Sequence, residues 1–171
     1  MSNALKAHLA FKAEMARRIR TQSPAEWNIF SQLWMAFNAI YGGEPDLKER
    51  ARVMASIRSN ISEQTAARLL RGVAESVERI LQVPPGDMRL DRQHPNFRAN
   101  SKRYARRYRD ASETAVNRLA AVGAVLYQIR CNLLHGSKDP FNDRDLMLVH
   151  ESVAVLEALV PALEASLLEA A

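Results

Sequence analysis

Three polar residues suited to chemistry lie within six positions of one apolar segment, YQIRCNLLHG, residues 127–136. Arg130 offers a planar guanidinium fork that matches phosphate oxygens and stabilises charge that develops at a phosphorus centre. His135 exchanges a proton near neutral pH, and Asn132 adds an amide between them. Together these groups suit cleavage of a phosphodiester. Without a metal ion such cleavage commonly uses the neighbouring 2′-hydroxyl of RNA as nucleophile, so the pattern favours RNA as the substrate.

The spacing of the motif requires that its helix end close to the histidine. Residues five apart on a continuous helix are separated by about 140° around the axis, so Arg130 and His135 would diverge. Gly136 permits a left-handed cap that ends the helix at residue 134 or 135 and frees the imidazole to turn. A structural alternative stays open, because Arg and His in a last helical turn often only cap carbonyls and cover apolar surface.

The sequence predicts neither a metal site nor a cofactor. The four histidines and the single cysteine, Cys131, show no metal-ligand spacing. One cysteine excludes an internal disulfide, and no secretory leader is visible near residue 1, so we expect a cytoplasmic chain. Charges recur along the apolar segments, and we therefore expect no membrane-spanning helix and no membrane partner.

Positive charge is concentrated between Arg89 and Arg109. This segment holds eight basic residues and one acid, a net charge of +7 in a chain whose total is +5, which leaves −2 for the rest. Such a concentration favours a polyanionic partner. The cations are expected to contact phosphates and a tyrosine to stack on a base; the RNA-binding residues predicted here are Lys102, Arg103, Tyr104, Arg106 and Arg107. The alternative is a solvated helix whose tyrosines, Tyr104 and Tyr108, join the core.

Apolar periodicity predicts an all-α fold, a compact antiparallel helical bundle of about six helices in a single domain, residues 1–171. The capping signals place the helices at about 3–22, 23–42, 46–59, 60 or 62 to 83, 110 or 112 to 134, and 142 to the end. Residues 84–100 form a polar connection, and residues 101–109 have a helical period. No segment has the period of a strand.

An aromatic stripe marks the second of these helices. Its members recur at spacings of three and four and are expected in the core: Trp27, Phe30, Trp34, Phe37 and Tyr41. Asn38 lies beside the stripe. We expect Asn38 to be buried and to cap a neighbouring backbone group, although the same position would also let it reach the Arg130 cleft.

Two segments resemble motifs of one known superfamily. IRCNLLHG, residues 129–136, follows an apolar helix and precedes SKDPFNDRD and a second apolar helix. This arrangement resembles the Arg-x(4 to 6)-His signature of the HEPN superfamily (higher eukaryotes and prokaryotes nucleotide-binding domain). FSQLWMAFNAIYGG, residues 30–43, is similar to the aromatic early helix of the Apea-like branch of that superfamily. The two matches lie in the order found in that branch and together span most of the chain.

The resemblance implies a helical bundle that dimerises, so that two Arg-His motifs meet in one cleft that cuts RNA without a metal. On that mapping Arg130 holds the scissile phosphate and His135 acts as general acid or base. Many members carry Asn, Asp or His directly after the arginine; this chain has Cys131 there, and Asn132 would then supply the polar contact. The expected partners are RNA, a second copy of the chain in a homodimer, and a cognate antitoxin or regulatory protein.

These observations support two main hypotheses for the function. The first is a metal-independent endoribonuclease of the HEPN type, a toxin or defence effector that acts as a homodimer. The second is a catalytically inactive HEPN-like module that binds RNA, a nucleotide or a protein partner, because Cys131 departs from the superfamily pattern. A helical DNA-binding regulator is a third hypothesis, although no helix-turn-helix pattern accompanies the basic segment.

Overall fold

The computed structural model describes residues 25–42, 46–134 and 142–170, with seven further positions nearer residue 1: Lys6, Ala10, Phe11, Ala13, Glu14, Ala16 and Arg17. Every regular element in that part of the chain is a helix, and the fold is an all-α helical bundle, as the periodicity predicts. The helices are α1 (Ala25–Tyr41), α2 (Glu49–Asn60), α3 (Glu63–Gly72), α4 (Ala74–Gln82), α5 (Ala99–Arg109), α6 (Ala115–Leu134) and α7 (Asp143–Ala170). The helix expected over residues 3–22 lies mostly outside the described residues.

The helices α6 and α7 form the centre of the bundle. α2, α3 and α5 pack against α6, while α1 and α4 pack against α7. Buried apolar side chains from all seven helices belong to one core cluster. The aromatic stripe of α1 is part of this cluster, which confirms the prediction for its five members, and Trp34 contacts Phe37 edge to face with ring centroids 5.4 Å apart.

The helix expected from residue 60 or 62 to 83 is two helices, α3 and α4. They are separated at Val73, whose backbone leaves the helical region with φ −111° and ψ 13°. Hydrogen bonds continue across the break, because the Val73 N–H donates to Leu69 and the Val77 N–H donates to Val73, each at 3.0 Å. The spacing of apolar residues also continues through the break. In the sequence, Gly72 is the only residue whose type indicates the break.

The start of α6 also differs from the prediction. The helix begins at Ala115 rather than near residue 110 or 112, since Asp110 forms a turn by accepting from the Ser112 N–H at 2.9 Å. The first free N–H groups of α6 find an acceptor on another helix. The Glu63 carboxylate accepts from the N–H groups of Ala115 and Val116, the latter at 3.0 Å. A carboxylate at this position also complements the positive end of the helix.

The last helix, α7, contains a longer apolar run than the sequence analysis expects. By length and composition it is the one helix in the described part of the chain that could cross a membrane, so the expectation that charges interrupt every such run is wrong here. In the fold, 56% of that window is buried. Packing at the centre of the bundle thus gives a physical reason for its composition.

The connection between α4 and α5 folds back on itself. The Asp87 N–H donates to the Phe97 carbonyl oxygen at 2.7 Å, which closes the segment into a loop, residues 83–98. Gly86 lies directly against the Phe97 ring, and a Cβ atom at Gly86 would approach that ring to 2.2 Å. Only glycine leaves room for this contact. We refer to residues 83–98 below as the α4–α5 loop.

Candidate functional site at the end of α6

Arg130 lies in the last part of α6 that the structure describes and is held by Glu49 of α2, which in turn accepts from Tyr41 of α1. Its Nη1 donates to Glu49 Oε2 at 3.3 Å, and the hydroxyl of Tyr41 donates to Glu49 Oε1 at 2.9 Å. The side chains of Arg130 and Glu49 are 24% and 21% exposed, so solvent and small ligands reach the pair. Burial, and then the bond to Glu49, raise the pKa of Tyr41, which keeps its hydroxyl protonated as the donor.

The guanidinium of Arg130 has hydrogen-bonding capacity left over. Its Nε is buried, and no acceptor for that nitrogen is present in the described residues. Beside it lies a cavity of about 260 Å³ that is lined by Phe30, Ser31, Trp34, Met35, Asn38 and Arg130. The walls are mainly apolar, and Arg130 is the one cation among these lining residues. Apolar walls lower the local dielectric constant and so strengthen an interaction between the guanidinium and an anion that enters the cavity.

Asn38 belongs to this cavity rather than to the core. Its side chain is exposed on α1, so the expectation that it is buried and caps a backbone group is wrong. The alternative, that Asn38 reaches the cleft of Arg130, agrees with its position in the cavity wall. An amide at the mouth of the cavity adds a donor and an acceptor to a site that is otherwise apolar.

Asn132 has a different role from the one expected. Its side chain is buried and its Nδ2 donates to the Gly86 carbonyl oxygen at 2.7 Å. Its Oδ1 accepts from the Met88 N–H at 3.3 Å and from Gln128 Nε2 at 3.1 Å. These bonds fix the α4–α5 loop to α6. Because the amide is sealed under that loop, this position gives Asn132 no contact with a substrate beside Arg130, and we leave it out of the candidate site.

The third residue of the motif, His135, and the cap residue Gly136 lie outside the described residues. Their predicted roles therefore stay predictions. The described part of α6 ends at Leu134, one position before the histidine.

The basic helix α5 uses its tyrosines for packing. Tyr104 and Tyr108 are buried in the core cluster, so the base-stacking role predicted for Tyr104 is wrong and the alternative, in which both tyrosines join the core, is correct. Arg103 covers the Tyr104 ring at 4.9 Å and donates to its hydroxyl at 3.0 Å. Arg118 covers Tyr108 in the same way at 5.4 Å. These contacts shield both rings from a ligand.

The predicted phosphate-binding cations of α5 divide into two groups. Arg107 pairs with Glu113 at 2.7 Å, and Arg103 is engaged with Tyr104. Lys102 and Arg106 are exposed and have no carboxylate partner in the part of the chain that the structure describes. Only this second group is therefore free to bind a phosphate without first breaking an internal contact.

Neither a cluster of metal ligands in the described residues nor a comparison with known proteins indicates the chemistry of the site. Among the described residues no three His, Cys, Asp or Glu side chains come close enough to hold a metal ion. Comparisons with family models, with curated proteins and with solved structures find no match to this chain.

The residue that sequence reasoning missed is Glu49. Its place in the first turn of α2 was visible, but its contact with Arg130 joins positions 81 apart in the chain. No local pattern signals such a pair. Arg98 was also outside the predicted set, although its spacing of four from Lys102 and of eight from Arg106 would have placed it on the same helix face.

Proposed function

We propose that this chain is a metal-independent endoribonuclease that acts through Arg130 and His135. The observation that carries the proposal is the setting of Arg130. A partly exposed guanidinium, whose buried Nε has no acceptor in the described residues, lines a mainly apolar cavity and lies five residues before a histidine. The resemblance to the HEPN signature assigns the same two residues to RNA cleavage.

In the proposed reaction the 2′-hydroxyl oxygen of the nucleotide attacks its own 3′-phosphorus. The new bond joins O2′ to phosphorus, the bond from phosphorus to the next O5′ breaks, and the products carry a 2′,3′-cyclic phosphate and a 5′-hydroxyl. Arg130 neutralises the charge that grows on the phosphoryl oxygens. His135 takes the proton of the 2′-hydroxyl or gives a proton to the leaving O5′. Glu49 is the resting counter-ion that the phosphate replaces.

A homodimer is part of this proposal. The resemblance implies that two Arg130–His135 motifs meet in one cleft. In support, α1 exposes Met35 in the wall of the Arg130 cavity, with 65% of this apolar residue open to solvent. Exposed apolar side chains that flank a polar site are typical of protein interfaces. A role as toxin or defence effector, held in check by an antitoxin or regulatory protein, belongs to the same proposal.

The test is RNA cleavage by the purified chain in EDTA. Wild type is expected to cut RNA, and His135→Ala and Arg130→Ala to be at least about 100-fold slower, as is typical for loss of a general acid or base or of a charge-stabilising donor. Arg130→Lys keeps the charge and loses the planar fork, so it should retain only a small part of the activity.

Arg68→Gln is the matched control. Like Arg130→Ala it removes one positive charge, but Arg68 is exposed on α3, at the other end of α7. It should cleave like wild type. Equal cleavage rates for His135→Ala and wild type would exclude His135 from the active site, even if the protein does cut RNA.

The second candidate function, an inactive module that binds RNA, a nucleotide or a protein partner, is favoured by one observation. Cys131 follows Arg130, and Asn132, which was expected to replace the missing polar group, is buried under the α4–α5 loop. Arg130 would then bind a phosphate without a polar neighbour to assist cleavage. RNA binding that is lost in Arg130→Ala, with no cleavage by wild type, distinguishes this function from the first.

A further inference from the structure

A second cavity, distinct from the one at Arg130, lies where the α4–α5 loop meets the start of α7. Its volume is about 320 Å³, which is near the lower limit for small-ligand pockets. Residues 83–86, Phe97 and Leu148 form part of its walls, and three arginines line it: Arg92, Arg98 and Arg144. One acid, Asp145, lines it as well, so positive charge is in excess.

Arg144 is fixed in place within this cavity. Its Nη2 donates to the carbonyl oxygens of Ile80, at 3.3 Å, and of Val83. These bonds anchor the guanidinium to the end of α4 and order it before any ligand arrives. The main-chain N–H groups of Arg144 and Asp145 are already capped by Asn142 Oδ1, at 3.0 and 3.2 Å. The arginine side chains, rather than the helix end, are therefore the donors that the cavity offers.

In the described residues no carboxylate forms an ion pair with Arg92 or Arg98, and the guanidinium of Arg98 lies over the Phe97 ring, at 5.7 Å. Burial first, and then the nearby charge of Arg98, lower the pKa of Arg144, while Asp145 opposes this effect. The positive charges of Arg98 and Arg144 therefore repel each other. A bound anion would relieve that repulsion.

A line of free cations leads away from the cavity along α5. Arg98, Lys102 and Arg106 follow each other at a spacing of four, so they share one face of the helix and extend over about 12 Å. Lys102 and Arg106 line a shallow groove of about 470 Å³, and Pro84 lines both this groove and the arginine cavity. The two depressions therefore adjoin.

We propose that the cavity of Arg92, Arg98 and Arg144 binds a phosphate group of an RNA strand, whose following phosphates lie along Lys102 and Arg106. The identification of the strand as RNA rests on the proposed function; the phosphate chemistry does not. Asn132 joins this cavity to the candidate site, because the loop that it holds from α6 also forms the cavity wall. The phosphate-binding line thus begins beside the helix that carries Arg130.

The experiment measures RNA binding by fluorescence anisotropy in the His135→Ala background, where proposed cleavage cannot consume the probe. Arg92→Gln/Arg98→Gln is expected to bind a short labelled RNA at least about tenfold more weakly, and the dependence of log affinity on log salt to become shallower by about 0.7 for each lost phosphate contact. Arg144 is left intact because it anchors α4. Arg68→Gln removes a charge about 27 Å away along α7, judged from Arg144 to Ala162, and should bind like the parent.

A mononucleotide competitor identifies the source of the phosphate. Adenosine 5′-monophosphate that displaces the RNA in the parent but not in Arg92→Gln/Arg98→Gln supports a terminal phosphate in the cavity. No displacement by the mononucleotide, with a tenfold loss in the double variant, supports an internal phosphodiester of the strand. Unchanged affinity and unchanged salt dependence in the double variant overturn the inference.

Cleavage assays keep this inference and the proposed function apart. If wild type cuts RNA and the double variant binds RNA equally well, the inference fails and the function stands. If wild type cuts no RNA and the double variant binds it weakly, the inference stands and the function fails.

Discussion

Arg130 is held between an acid and an aromatic wall, and this setting is what makes it a candidate for chemistry. Glu49 accepts from one nitrogen of Arg130, Tyr41 donates to Glu49, and Arg130 also lines the cavity beside α1. A guanidinium that is ordered in advance loses little side-chain entropy when it binds an oxyanion. The sequence identifies Arg130 from its spacing to His135 but not Glu49, since the contact between them depends on how α2 packs against α6.

Asp87 gives a pH-dependent prediction at the same scale. Its carboxylate accepts from Nε and Nη2 of Arg89 at 2.9 and 2.6 Å and from the Arg89 N–H at 3.2 Å. The hydrogen bonds of the Arg89 side chain are the main cause that lowers the pKa of Asp87. The ionised form is therefore favoured in the fold. Its stabilisation is complete above the unfolded pKa of about 4 and is lost as the pH falls through the lower folded value.

We expect Asp87→Asn to lower the free energy of unfolding at neutral pH and to have less effect at about pH 3, where the wild-type carboxyl is becoming protonated. Urea unfolding of both proteins at the two pH values checks this. The neutral-pH difference should be modest, about 1 kcal/mol or less, because Arg89 is largely exposed and solvent screens the pair. A difference that is the same at both pH values contradicts the assignment.

At the scale of elements, the helices with a clear period were predictable and their ends were less so. The aromatic stripe predicts the end of α1 to within one residue, because Gly42 follows Tyr41 directly. The break between α3 and α4 was missed because the hydrogen bonds and the apolar period cross it. The start of α6 was missed because its cap, Glu63, comes from a helix 52 positions earlier. Long-range caps of this kind leave no local signal.

The α4–α5 loop gives the second prediction. Gly86→Ala places a methyl group against the Phe97 ring, which is nearly buried, so the ring or the loop must move. Overpacking of this kind typically costs about 1–3 kcal/mol. We expect a lower urea midpoint and faster amide hydrogen exchange in residues 84–98. Gly86→Ala/Phe97→Leu, which makes room for the methyl group, should recover part of the loss.

Gly72→Ala is the matched control for that prediction, because a Cβ atom at Gly72 meets nothing within 4 Å. Alanine there should leave the protein as stable or slightly more stable, since it favours helix more than glycine does. A Gly86→Ala variant as stable as Gly72→Ala would show that the contact with Phe97 is not restrictive.

At the scale of the whole molecule, the proposed dimer makes the third prediction. Met35→Glu places a charge on the exposed apolar face of α1 beside Arg130, where a second copy is proposed to pack. An unpaired charge in an interface opposes association, so we expect the dimer dissociation constant to rise at least about tenfold and RNA cleavage to fall with it. Sedimentation velocity over a range of concentrations measures the first effect.

Leu168→Glu makes the same change near the far end of α7, where the leucine is 79% exposed. It should leave both association and cleavage unaltered. A Met35→Glu protein that dimerises and cleaves like wild type would place the interface elsewhere.

The sequence predicts those parts of the candidate site that depend on local spacing and composition. It does not predict the parts that depend on contacts between distant segments. Arg130 and the charge of α5 were visible as spacing and composition. The burial of Tyr104 was not, because whether a tyrosine of an amphipathic helix faces solvent or core depends on which side that helix packs. The arginine cavity was likewise hidden, since Arg144 joins it from a helix that begins 34 positions after α5 ends.

Asn132 has a consequence for anyone who transplants the Arg130 motif into another helical scaffold. Grafting α6 alone would strip the asparagine of Gly86 and Met88; Gln128 would still donate to its Oδ1, but its Nδ2 would have no acceptor in whatever interior received it, at a cost of about 1–3 kcal/mol. The portable unit is therefore the helix together with the loop that its asparagine fastens. Changing Asn132 to an apolar residue of similar size would be the first repair that a designer has to make when the loop is left behind.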